Sequence, residues 1–311
     1  MTRKDCMNIH FSNVNFSSNS GPNTFASRLA NSLTRMGHSI VDENEKYDVF
    51  LAFIEPASTP SPGAKIVQRL DGIWFKPEQF LSHNKNIKAL YDNADAVIWQ
   101  SNFDKKMTEF HWGYKQGQVI HNGAPLERKK VSNETILSIR GTYEKIFVCS
   151  ANWHRQKRLK ENVELFLKIK EEYPKSCLII MGSNPDYFVR HKDILYTGSI
   201  SHDLCLEMFS AADWMIHLAW LDHCPNVVIE SLSQGCPVIC TDSGGTSEIV
   251  QKNGVVIPES IPYNYELTDY DKPYEIKLEA VNLPGIEIEN SYIDIQKVAQ
   301  KYIKILSGDN E

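Results

Sequence analysis

Two carboxylates, Asp222 and Glu230, flank the segment HCPNVVI within "LDHCPNVVIESLSQGCPVICTDSGGTSEIV", Leu221 to Val250. Pro225 lacks an N–H and has a preset φ, so it suits the first turn of a helix. That helix is predicted to start near Cys224 or Pro225 and to stop at Gly235. A helix start presents unpaired N–H groups and a positive dipole end, which together make a phosphate site. Glu230 falls about one turn in, on the same face as Asn226. A carboxylate there repels phosphate but can accept from two vicinal hydroxyls, and a ribose offers such a pair. Asp222, in the loop just ahead, can accept from a second polyol such as a hexose. Taken alone, Glu230 is equally a first-turn acid stabilised by the helix dipole. A phosphate with a hydroxylated ring on either side is a nucleotide sugar.

A basic turn lies upstream, in "SANWHRQKRLKEN", Ser150 to Asn162. It follows a strand-like run and opens a helix, gathering Arg155, Lys157 and Arg158. These cations either form a solvated basic helix start or neutralise a diphosphate leaving group, the main electrostatic task when a glycosidic bond to that group breaks. Cations at a helix N-terminus oppose its dipole, which argues for a compensating anion. In "NFSSNSGPNTFAS", Gly21 permits close backbone approach. One glycine where a GxGxxG fingerprint needs three disfavours a nicotinamide or flavin enzyme. In "VQRLDGIWF", Arg69 and Asp71 end a strand, where open α/β sheets put their ligands; Asp71 either orients an acceptor hydroxyl or caps the turn before Gly72.

The elements that position these residues alternate. Strand-like runs such as "YDVFLAFI" and "ADAVIWQS" are separated by helical spacing, as in Phe25, Leu29, Leu33 and Met36, and this argues for mostly parallel sheets covered by helices. In "SNFDKKMTEFHWG", Ser101 is the expected N-cap and Gly113 the stop. After "QVIHNGAPLE" the pattern restarts at "KIFVCSAN". The expected organisation is an N-terminal Rossmann-like domain over 1–126, a linker over 127–143 and a second Rossmann-like domain over 144–291. A closing helix in 292–311 is expected to join the first domain. The acidic, Tyr- and Pro-rich stretch from Glu259 to Asn290 breaks the rhythm and reads as an ordered irregular excursion or a mobile loop.

The segment from Asp222 to Gly245 resembles the donor-site signature of glycosyltransferase family 4. A carboxylate, seven intervening residues and a Glu are followed by a Gly-Pro-Val run and a Gly-Gly turn: Asp222, Glu230, Gly235, Pro237, Val238, Gly244 and Gly245. The resemblance implies the GT-B fold, two doubly wound Rossmann-like domains facing each other across a cleft. It implies metal-independent, retaining transfer of a hexose-type sugar from a UDP-, GDP- or ADP-sugar to a glycan, lipid-linked or other acceptor, with no cofactor. By the same resemblance Glu230 holds the ribose, and Asp222, where the family usually has Glu, holds the sugar. Cys224, Pro225, Asn226 and Val227 supply backbone contacts to that sugar. Lys157 matches the family's diphosphate-binding Lys; strict spacing puts the accompanying Arg at Asn152, with Arg155 as its substitute. Gly21 faces the diphosphate from the first domain, and Asp71 falls where the family often places a His or Asp towards the sugar. Alternatives are a GT-B sugar-nucleotide epimerase and a catalytically silent nucleotide-sugar-binding protein.

Composition narrows the classes. The 311 residues, 42% apolar, are long for a single core, and a net charge of −6 argues against a surface built for nucleic acid. No signal-peptide pattern and no run of roughly 20 apolar residues occurs, so a cytoplasmic protein is expected, reaching a membrane only peripherally, at a lipid-linked acceptor. The seven cysteines form no CxxC pair and mostly sit in apolar runs, which predicts buried thiols rather than a metal site.

Overall fold

The run VFLAF, Val49–Phe53, is buried at every position, so it has no solvent face and belongs in a sheet covered on both sides. The structure, a computed structural model, describes residues 6–18 and 20–308; the outermost residues of the expected ranges 1–126 and 292–311 therefore lie outside it. The chain forms two units. One holds the residues up to Pro125, Tyr265–Thr268 and the chain from Tyr292 onward; the other holds Leu126–Asn264 and Asp269–Ser291.

In the first unit, β1 (Asn8–Ser12), β2 (Ser39–Val41), β3 (Val49–Phe53), β4 (Lys65–Leu70), β5 (Ala96–Trp99) and β6 (Gly117–Val119) form a parallel sheet in the order β2-β1-β3-β4-β5-β6. Its helices are α1 (Gly21–Arg35), α2 (Phe80–His83), α3 (Lys85–Asn93) and α4 (Asn102–Trp112). The α4 start follows the sequence expectation: Ser101 Oγ accepts from the Asp104 N–H at 3.1 Å, and Gly113 ends the helix at φ 85°. Phe25, Leu29 and Leu33 form the buried stripe of α1. A last helix, Ile295–Ser307, packs beside it, capped by Asp294 and stopped by Gly308, with Val298, Tyr302 and Ile305 buried. The Tyr302 ring lies 5.9 Å from that of Phe25. Each such buried side chain contributes about 1.5–3 kcal/mol of transfer free energy.

The second unit repeats the plan. β7 (Lys145–Ser150), β8 (Ser176–Met181), β9 (Ile194–Gly198), β10 (Trp214–His217), β11 (Val238–Thr241) and β12 (Gly254–Ile257) form a parallel sheet in the order β12-β11-β10-β7-β8-β9. Helices α5 (Glu134–Thr142), α6 (Leu159–Glu172), α7 (His202–Ala211), α8 (Asn226–Ser233) and α9 (Thr246–Val250) accompany it; the last helix of the first unit is thus α10. Leu159, Val163 and Phe166 of α6 pack into a core with Phe147, Leu178 and Ile216.

Two sequence expectations need correction, and the structure decides a third that stood open between order and mobility. The stretch 127–143 is no plain linker, because Asn133 caps α5 by accepting from the Thr135 and Ile136 N–H groups and Ile136 is buried. Pro225 is the residue before α8 rather than a member of its first turn; its ψ of 115° is extended, and the helix starts one residue later. The excursion 259–290 contains no regular element, yet it is anchored. Asn253 and Glu289 exchange hydrogen bonds of 2.7 and 3.0 Å, Asn290 Nδ2 donates to the Leu232 carbonyl, and Trp220 packs edge-on against Tyr274. Residues Tyr265–Thr268 within it belong to the first unit, where the Tyr265 carbonyl lies 2.9 Å from His111 Nε2.

Candidate functional site

An open α/β sheet binds ligands outside the carboxyl ends of its strands, at the point where strand order reverses. In the second unit that point lies between β7 and β10, which end at Ser150 and His217. The segments leaving these strands are stitched together. The Trp220 N–H donates to the Gln156 carbonyl at 2.9 Å, and the Leu218 N–H to Asn162 Oδ1 at 3.0 Å. This brings Lys157 Nζ to 2.5 Å from Asp222 Oδ2, across 65 positions of sequence.

The Gly-Gly turn holds the Asp222 loop. Gly244 has φ +69°, and a Cβ there would stand 2.4 Å from the Asp222 carbonyl oxygen and 2.7 Å from its nitrogen. The Gly245 N–H donates to that same carbonyl at 2.7 Å. Only a residue without a side chain lets the two backbones approach so closely. Gly244→Ala is therefore expected to lower stability by about 2–4 kcal/mol in urea denaturation, from strain in the left-handed region plus overpacking.

Burial alone would raise the Asp222 pKa, but Lys157 and His217 beside it outweigh burial and hold the carboxyl well below the usual range, so it is a carboxylate at all ordinary pH. His217 is enclosed, and burial lowers its pKa despite the neighbouring carboxylate, so the ring is neutral near pH 7. Its Nε2 lies 3.3 Å from Asp222 Oδ2.

The basic turn is a short 3-10 segment, Arg155–Lys157, followed by Arg158 at φ +53°. Its three cations have separate fates. Lys157 pairs with Asp222. Arg155, partly exposed, makes a two-pronged contact with Glu161 at 2.6 and 2.8 Å, which overcomes burial and keeps the Glu161 pKa low. Arg158 is fully buried against Glu259 at 2.5 Å and also donates to the Tyr274 carbonyl at 2.7 Å. Grouping Arg158 with cations available to a diphosphate is thus corrected: its charge is spent inside the fold. Asn152 Oδ1 accepts from Ser183 Oγ at 2.9 Å and Asn184 Nδ2 at 3.0 Å.

Helix α8 leaves the Asp222 loop after Cys224, which is buried, and Pro225; Asn226 and Val227 are half-buried in its first turn. Glu230 lies one turn in, buried, with Oε1 3.1 Å from Nε2 of His202, the first residue of α7. The first unit holds the other two expected residues. Gly21 is the first residue of α1, behind Ser20. Asp71 is the counter-ion of Arg69, which is enclosed between the rings of Phe25 and Phe53 and donates to Asn122 Oδ1 at 2.7 Å. Among the described residues no group of three or more His, Cys, Asp or Glu is arranged to hold a metal ion, and no helix is long and apolar enough to cross a membrane.

Residues 138–262 match the family model described as glycosyl transferases group 1. The chain resembles that family and has the GT-B fold. An uncharacterized glycosyltransferase of Methanocaldococcus jannaschii is 25% identical over 196 residues, covering 57% of this chain and 47% of its own; the chain thus spans about half the length of that curated relative. Among solved structures, HepE of Anabaena in complex with UDP-glucose matches this GT-B chain with a TM-score of 0.62 at 14% identity, over 97% of this chain and 100% of its own. WaaG, a glycosyltransferase involved in lipopolysaccharide biosynthesis, matches with the same TM-score, identity and coverage. At that identity the likeness is one of fold.

Sequence reasoning missed His217, Glu161 and Glu259 as partners of the site. The histidine had a signal, a polar residue ending the buried run "WMIH"; the two glutamates had none, since their pairing depends on tertiary approach.

Proposed function

We propose that the GT-B chain is a retaining, metal-independent glycosyltransferase that moves a hexose-type sugar from a nucleotide diphosphate sugar to an acceptor hydroxyl. The observation that carries the reading is the Lys157–Asp222 contact at the reversal point of the second sheet, beside the start of α8. In this reading the α8 start and Lys157, with Arg155 at the rim, bind the diphosphate; Glu230 accepts from the ribose hydroxyls and Asp222 from the sugar. The bond between the anomeric carbon and the diphosphate oxygen breaks, the electron pair leaving with the diphosphate. The acceptor oxygen bonds to the same face of that carbon and gives its proton to a donor phosphate oxygen. Lys157 acts on the charge that grows on the leaving group. Arg155 and Asn152 contribute to donor binding, as do the backbone groups of Cys224, Pro225, Asn226 and Val227, while Gly21 and Asp71 act from the first unit. Glycan or lipid-linked acceptors, the latter met at a membrane surface from the cytoplasm, complete the proposal.

HepE was solved with UDP-glucose and with UDP, so uridine donors are the first to test on this chain. A thermal-shift panel of UDP-, GDP- and ADP-sugars is expected to show stabilisation by one nucleotide class, followed by slow donor hydrolysis that EDTA leaves unchanged. Absence of stabilisation by every member would sink the reading. Glu230→Ala is expected to weaken the selected donor about ten- to hundred-fold in calorimetric titration, through loss of charge-assisted hydrogen bonds to the ribose.

A further inference from the structure

Asp222 is held by its backbone and free only in its side chain. Its carbonyl is fixed by the Gly245 N–H, and Leu221 before it sits at φ +52°, a conformation that resists drift. Of the two carboxylate oxygens, Oδ2 faces both Lys157 Nζ at 2.5 Å and His217 Nε2 at 3.3 Å; Oδ1 has no donor among the described residues. The histidine approach is not aligned as a hydrogen bond, and Nε2 remains a buried polar atom with no partner among the described residues. Buried polar atoms are nearly always paired, so an unpaired one beside a carboxylate needs a reason.

Competition for Lys157 supplies it. A diphosphate carries at least two negative charges and draws the ammonium away from a single carboxylate. Asp222, with a side chain only 13% exposed, would then be an enclosed anion short of a donor, which is costly. Among the described residues, the other side chain within reach of that oxygen is His217, fixed at the end of β10.

We propose that His217 is a positioning residue. Its Nε2–H takes over Asp222 Oδ2 when Lys157 turns to the diphosphate, leaving Oδ1 directed at a hydroxyl of the donor sugar. The pairing thereby ties sugar recognition to occupancy of the phosphate subsite. It rests on the donor reading given above.

The test separates nucleotide from sugar. Calorimetric affinities of the full chain for UDP and UDP-glucose, or for the GDP or ADP pair if the panel selects it, are measured with His217→Ala, His217→Gln and Asp222→Asn. His217→Ala is expected to weaken the sugar conjugate about ten-fold while leaving the bare diphosphate within about two-fold. Asp222→Asn should show the same sugar-specific loss, and the double variant should add nothing to it. His217→Gln, whose side-chain amide can stand where Nε2 stands, should recover most of the affinity. Equal weakening of both ligands would mark a structural role and overturn the proposal, as would no weakening of either. A wild-type chain that binds no nucleotide sugar overturns the donor reading itself and is seen before any variant is made.

Discussion

Lys157→Ala is expected to lower nucleotide-sugar turnover by about 10²–10³-fold, the cost of removing one preorganised group that stabilises developing charge. The two other cations of the basic turn are already paired with carboxylates. Arg158 is locked on Glu259 inside the fold, and Arg155 is held by both oxygens of Glu161. Donor-hydrolysis rates in single turnover measure the loss, and a rate within a few-fold of wild type would remove Lys157 from the mechanism. The same variant carries a pH signature. The Asp222 pKa is depressed in the folded chain, so its contribution to stability is complete above the unfolded value of about 4 and is lost as pH falls towards the lower folded value. With Lys157 gone, the largest lowering influence disappears and burial pushes the carboxyl up. The stability gap between wild type and variant should therefore be widest at neutral pH and close progressively below about pH 4, which denaturation curves at several pH values read directly.

Arg158→Leu is expected to destabilise the protein by about 3–5 kcal/mol, the range for stranding one partner of a buried ion pair. The guanidinium is fully enclosed, its carboxylate partner is 4% exposed, and its two terminal nitrogens also donate to the Leu218 and Tyr274 carbonyls. One side chain thus ties the site loop to the start and the middle of the irregular stretch after β12. Glu259→Leu placed with Arg158→Leu should recover a large part of the loss, because a buried pair is worth little more than a well-packed apolar one. Limited proteolysis should cut within 259–290 sooner in the single variant than in the double. Equal urea midpoints for wild type and Arg158→Leu would show that the contact carries no stability.

Periodicity made the sheets and helices legible. Apolar runs such as "KIFVCSA" and the stripe Phe25, Leu29, Leu33 encode burial locally, within one element. The α8 start was legible to one residue because proline, glycine and the apolar spacing agree. Pairing across the fold was not. Lys157 meets a carboxylate 65 positions away and Arg158 one 101 positions away, and no local pattern encodes either distance. Charged flanks hid α5, whose apolar face buries only Ile136. The irregular excursion was undecidable between order and mobility, since its order comes from single contacts such as Asn253 with Glu289 and Trp220 with Tyr274.

Placing α10 against α1 also sets a timetable for the growing chain. Val298, Tyr302 and Ile305 complete the core that Phe25 and Leu29 begin, so the first unit to leave the ribosome is the last to be finished. At ordinary elongation rates the wait is roughly ten to thirty seconds, during which the whole second unit is synthesised while the first still lacks its last helix. Throughout that interval the part of the α1 face that α10 covers lies open, a surface for chaperones to shield and a point at which ribosome-stalled chains should be prone to aggregate.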